Sequence, residues 1–209
     1  VQAAVARDLE NSATEFQRVV WPVISGWFGG GELVSIESVQ NTGFMKLFDT
    51  YSGIDAWHIS TGKQLRGVAS RVQWIDDDQK PWDTFTVRTE RDSGARTELA
   101  KRLEAIKEDH GYLYPHLTVQ AYCSKPCGEG ELLSVAAVRT DQLILRAGAI
   151  EKLWRQGGGI TPFYPQGHNG AGVRRTSNAT FVYMSFAYLR AAQFQIKTWP
   201  MRDLFDDAA

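Results

Sequence analysis

The apolar positions of this chain fall into two rhythms. Three short runs near its middle, 54–59, 67–75 and 84–88, alternate with a period of two and are split by turn residues. Such alternation predicts half-buried strands, because successive side chains on a strand point to opposite faces. On the first run Ile54, Ala56 and His58 share one face, and Asp55, Trp57 and Ile59 the other. On the second, Val68, Ser70, Val72 and Trp74 oppose Ala69, Arg71, Gln73 and Ile75. On the third, Phe85 and Val87 oppose Thr84, Thr86 and Arg88. Sequential strands with short connections tend to be neighbours. The three are therefore expected side by side in one mixed sheet, with Asp55, Arg71, Gln73, Thr86 and Arg88 gathered on one patch.

The second rhythm is helical. Val5, Leu9, Ala13, Phe16 and Val20 step by four, four, three and four, which predicts a helix over 3–21 that Pro22 ends or kinks. Trp21, Ile24, Trp27 and Phe28 follow as an aromatic knot of core type. Glu10 and Glu15 border the helix's apolar face and read as solvated surface or, for one of them, as an acidic residue reaching the site. A first strand over 32–39 carries Glu37. A helix over 95–107, capped by Asp92 or Ser93, turns Leu99, Leu103 and Ile106 inward. Its polar side mixes Arg96, Lys101 and Arg102 with Glu98 and Glu104. That is the pattern of a solvated face or, with Arg66, Arg71, Arg88 and Arg91, the rim of a phosphate-binding groove. Strands over 117–122 and 132–138 and a helix over 140–155, with Leu143, Ala147, Ile150 and Trp154 inward, come next. Residues 157–177 read as a long glycine-rich loop holding Arg174 and Arg175. A strand over 181–186, a helical turn over 188–193 and a strand over 195–199 close the chain. The order predicts an α/β (α+β) fold, a mixed central sheet flanked by helices. Residues 1–156 form its core, and 157–209 are a loop and C-terminal extension of the same domain.

Gly-Ile-Asp55, followed about fifteen residues later by a strand with alternating polar residues, resembles the restriction-endonuclease-like, PD-(D/E)XK nuclease superfamily over roughly residues 1–150. The resemblance implies a metal-dependent nuclease acting on DNA phosphodiesters. Asp55 matches the metal-binding Asp, and Arg71-Val-Gln73 lies where the second half-motif falls. Gln73, with Glu37 or Asp49, would then hold Mg²⁺ beside Asp55. Arg71 or Arg88 would clamp the phosphate, and Arg91, Arg174 and Arg175 would add substrate contacts. The sequence departs from the pattern: Arg71 stands where an acidic ligand is usual, and the Lys two positions beyond the ligand is missing. A second reading thus stays open, a catalytically inactive scaffold of that fold binding DNA or a protein partner. A third is a small-molecule enzyme with the glycine-rich loop as its lid.

Composition narrows these readings. The 209 residues are 43% hydrophobic with seven Trp and ten Phe, as expected of a globular chain. A net charge of −1 excludes a wholly basic nucleic-acid binder but not a basic face. Cys123 and Cys127 are too few for a disulfide framework, and they read as a hairpin tip without essential zinc. No apolar run reaches membrane-spanning length and no secretory signal opens the sequence, which predicts a soluble cytoplasmic protein. Ser-His-Asp, GxGxxG and P-loop signatures are lacking.

Overall fold

The computed structural model describes residues 11–36, 43, 52–75, 80–107, 113–125, 130–157 and 170–200. Helix α1 runs over 11–24 and contains a π-turn at Phe16–Val20, in which the Trp21 amide donates to the Phe16 carbonyl. Pro22 follows directly on that turn, so the helix bulges ahead of the proline and continues to Ile24 instead of ending. The further elements are β1 (Glu32–Ser35), β2 (Ala56–Ile59), β3 (Leu65–Trp74), β4 (Thr84–Arg91), α2 (Glu98–Lys107), β5 (Leu117–Cys123), β6 (Leu132–Arg139) and α3 (Thr140–Arg155). After them come β7 (Ala171–Arg175), β8 (Ala179–Ser185), α4 (Phe186–Ala191) and β9 (Ile196–Trp199).

The class is mixed α+β, as the pattern predicts, but the strands divide into two sheets. Six form a mixed sheet in the order β1-β2-β3-β5-β6-β9; three form a second in the order β4-β8-β7. β1, β2 and β3 make an antiparallel meander, and β5 then lies parallel to β3. The expectation that 84–88 would pair beside 67–75 is therefore wrong. β4 leaves the main sheet and pairs antiparallel with β8, Thr86 opposite Tyr183 and Arg88 opposite Phe181. Period-two alternation reports which faces are buried, not which strand is the partner.

Burial explains both sheets. On one face of the large sheet, Phe16, Val20, Trp21 and Ile24 of α1 pack on Val68, Val72, Val119, Ala121, Val135 and Ala137. On the other, Tyr122, Ala136 and Val138 meet Leu99 of α2, Leu143, Ile144, Ala147 and Ile150 of α3, and the inner face of the small sheet: Phe85, Val87, Val182 and Met184. Trp154, expected inward, is exposed, and Ile144 fills the core beside Leu143 instead. Tyr122 ties the sheets together, its hydroxyl donating to the Thr84 carbonyl at 2.9 Å.

Three further readings are corrected here. Glu15, expected on the surface, is fully buried on α1. Cys123 belongs to the core at the end of β5, and burial first, then the nearby Glu15 charge, pushes its thiol up to about 12. Residues 171–175 are a strand, not part of a loop. Residues 158–169, Glu10, Glu37, Asp49 and Cys127 lie outside the described residues. Among the described residues no helix is long and apolar enough to cross a membrane.

Candidate nucleic-acid interface

β3 carries Arg71 to the place where the two sheets meet α2. Its Nη1 donates to the Thr86 carbonyl (3.0 Å) and to Thr86 Oγ1 (2.7 Å), and its Nη2 to Glu98 Oε2 (3.3 Å). One guanidinium thus fastens β3, β4 and α2, and two of its five N–H donors remain for a ligand. Of the polar patch expected from the alternation, Asp55, Arg71, Thr86 and Arg88 do come together, across two sheets and not along one, and Gln73 does not join them.

Glu98 stands in the first turn of α2, where a carboxylate complements the helix dipole. Arg102, one helical turn on and only 7% exposed, approaches it to 2.5 Å. Burial by itself would raise the Glu98 carboxyl. Arg102, Arg71 and Arg88, with the Arg88 backbone N–H, outweigh it and hold the group below the ordinary glutamate value. Arg102 also reaches the turn before β2, where its Nη2 donates to the Gly53 carbonyl at 3.3 Å. Gly53 has φ +65°, and a Cβ there would come within 3.2 Å of that same nitrogen. The glycine of the Gly-Ile-Asp sequence is thus favoured by its left-handed backbone conformation, and a larger side chain would also press on the Arg102 guanidinium.

Asp55 follows this turn. Its amide donates to the Val68 carbonyl (2.9 Å), and its Oδ2 accepts from the Ser70 amide (2.6 Å). Ser70 lies past the start of β2, so the carboxylate replaces a missing strand and satisfies a β3 donor that would otherwise be orphaned.

Around these groups lies an open basin of about 500 Å³. Arg71, Arg88, Arg91, Arg96, Lys101 and Arg102 line it against two carboxylates, Asp55 and Glu98. Arg88 has one guanidinium nitrogen without a hydrogen bond, the buried Nε. Burial, then Arg91 and Arg71, push its pKa down, and Glu98 opposes them only in part. A second cavity of about 770 Å³ adjoins, sharing Arg71, Thr86 and Arg88 and adding Trp82, Tyr122, Phe181, Tyr183 and Arg174.

Of the residues expected at the site, Asp55, Arg71, Arg88 and Arg91 share the basin, while Gln73 and Arg174 line the adjoining cavity. Arg175 is exposed on β7, and Arg66 lines a separate cavity with Phe28 and Lys197. Gln73 Oε1 accepts from Gln120 Nε2 at 3.1 Å. It lies four residues beyond Ala69, the β3 residue next to the Val68–Ala56 pair and level with Asp55. That is roughly 13 Å along the strand, too far for both side chains to share one ion. Mg²⁺ takes about six oxygens in near-octahedral geometry. Several of these are usually water, and among the described residues no group of three or more His, Cys, Asp or Glu is gathered in one place. Asp55 and Gln73 therefore do not form the shared pair of Mg²⁺ ligands expected from the sequence.

Glu98 and Arg102 were read from the sequence only as part of a mixed polar helix face or groove rim, and not as a pair that holds the site. The signal for the pair was the Glu-x-x-x-Arg spacing opening a helix after an arginine-bearing strand. The aromatic wall was missed because Phe181 and Tyr183 alternate on a strand as core residues would. Compared with family models, with curated proteins and with solved structures, the chain shows no match.

Proposed function

We propose that the protein binds nucleic acid through the arginine basin, on a scaffold of the restriction-endonuclease-like type. The observation that carries this is Arg88: a buried, unbonded guanidinium nitrogen in a concave site where six cations face two carboxylates. Buried polar groups are normally satisfied, and a phosphate oxygen would satisfy this one while relieving repulsion from Arg71 and Arg91. The order of elements supports the scaffold: a helix, a three-stranded antiparallel meander, a crossover through α2, and a strand parallel to the third. Asp55 on the basin wall favours a second reading, in which the same groove cleaves the phosphodiester with a divalent ion whose further ligands come from outside the described residues.

Fluorescence anisotropy with a labelled DNA oligonucleotide at low salt tests the first reading. Arg88→Ala, and Arg91→Ala at an exposed position, should each weaken binding about five- to tenfold, the loss of one phosphate contact. No binding at low salt, or wild-type affinity in both variants, would remove the reading. Plasmid nicking that requires Mg²⁺ or Mn²⁺ and disappears in Asp55→Asn would add cleavage to binding. Nicking that is absent from the wild type leaves a binding scaffold.

A further inference from the structure

The small sheet has two unlike faces. Phe85, Val87, Val182 and Met184 lie in the core. The opposite face carries Thr86 and Arg88 on β4, Phe181 and Tyr183 on β8, and Gly172 and Arg174 on β7, in register across the strands. This face forms a wall of the 770 Å³ cavity. Such a volume is within the range of about 300–1,000 Å³ usual for small-ligand sites.

The aromatic rings are held in place by their neighbours. Arg88 Cζ lies 5.2 Å from the Phe181 ring centre, and Arg174 Cζ lies 5.4 Å from that of Trp82, which is half exposed. Tyr183 lies flat across β7, and a Cβ on Gly172 would come within 2.6–2.7 Å of its ring and hydroxyl. The glycine is therefore what lets that ring lie down and leave the cavity open. Gln73, Thr84 and Thr176 also line the cavity.

We infer that this cavity receives an unpaired nucleobase, so that the ligand of the groove is single-stranded nucleic acid and not duplex. The inference rests on the nucleic-acid reading of the basin and names its substrate class. Arg71, Thr86 and Arg88 belong to both cavities, so a site for flat rings and a site for anions share one wall. A nucleotide joins those two chemistries in one ligand. Every base offers a π-face to an aromatic side chain, and the flanking phosphates fall to the cations. In a duplex the bases are stacked on one another and cannot enter without being extruded.

The experiment compares short labelled oligonucleotides, single-stranded DNA, single-stranded RNA and duplex DNA of the same sequence, against wild type, Trp82→Ala and Gly172→Ala. The wild type should bind the single strands at least tenfold more tightly than the duplex. The two single-stranded arms decide between DNA and RNA as the source of the base. Trp82→Ala removes a half-exposed ring and leaves the core alone. Gly172→Ala would tip Tyr183 into the cavity. Each should weaken single-strand binding about tenfold or more and leave duplex binding unchanged, the loss expected for one stacking partner. An oligonucleotide carrying 2-aminopurine should lose fluorescence on binding wild type and less on binding Trp82→Ala. Equal binding of single strand and duplex, unaffected by both variants, overturns the inference while the basin reading survives. No binding of any oligonucleotide overturns both.

Discussion

Glu98 restrains the basin as well as building it. It holds Arg102 and Arg71 in position and cancels part of the charge that would attract a polyanion. Glu98→Gln should therefore act in opposite directions on two measurements. Stability should fall, because Arg102 is left buried without its partner. The loss should lie between the ~1 kcal/mol of a surface pair and the roughly 3–5 kcal/mol of a buried one, since about one-fifth of the Glu98 side chain is exposed. Affinity for an oligonucleotide should rise. The pH dependence has a definite sign. The folded-state pKa of Glu98 lies below its ordinary value of 4.5, so its contribution is complete above that value and is lost as pH falls through the folded one. Melting curves between about pH 3 and 7 should show the gap between wild type and Glu98→Gln closing as pH falls. A gap constant with pH, or weaker nucleic-acid binding in the variant, would show that Glu98 does not hold these arginines.

At the scale of elements, the strands and helices were legible in the sequence and their partners were not. The faces of β2 followed the alternation: Ala56 and His58 are buried and Ile59 is exposed. The route of β4 was hidden because its partner, β8, lies about ninety residues on, and an alternating strand serves either sheet equally well. The site suffered in the same way. Asp55 and Arg71 stood out as odd polar residues beside a turn, whereas Trp82, Phe181 and Tyr183 become a wall only once β4, β7 and β8 are in register. Glycine count hid β7 within an expected loop. Its place in the sheet has a consequence for proteolysis. Arg174 pairs with Phe181 and Arg175 with Thr180, so trypsin reaches their peptide bonds only when that edge of the sheet opens. Under limiting trypsin, cleavage after Arg174 or Arg175 should therefore lag behind cleavage elsewhere in the chain and appear with global unfolding. Early cleavage at these two bonds, read by mass spectrometry, would remove β7.

The whole molecule carries a net charge of −1 and still gathers six cations in one concavity, so attraction to a polyanion has to be local and short-ranged. At physiological ionic strength a charge is screened within about 8 Å, and the balancing acidic residues elsewhere on the surface do little at the basin. The number of phosphates the basin neutralises follows from its internal pairing. Glu98 occupies part of Arg71 and Arg102, and Glu104 pairs with Arg96. About three to four positive charges are left for phosphates. Each phosphate neutralised on a single strand contributes about −0.7 to the slope of log K against log salt, so the slope should be roughly −2 to −3. Glu98→Gln frees about one further charge and should steepen it by a little under one. Titrations at four or five salt concentrations would measure both slopes. A wild-type slope near zero would mean that stacking alone holds the ligand and the arginines are structural. A slope steeper than about −6 would require more cations than the basin holds and would place the binding surface elsewhere on the protein.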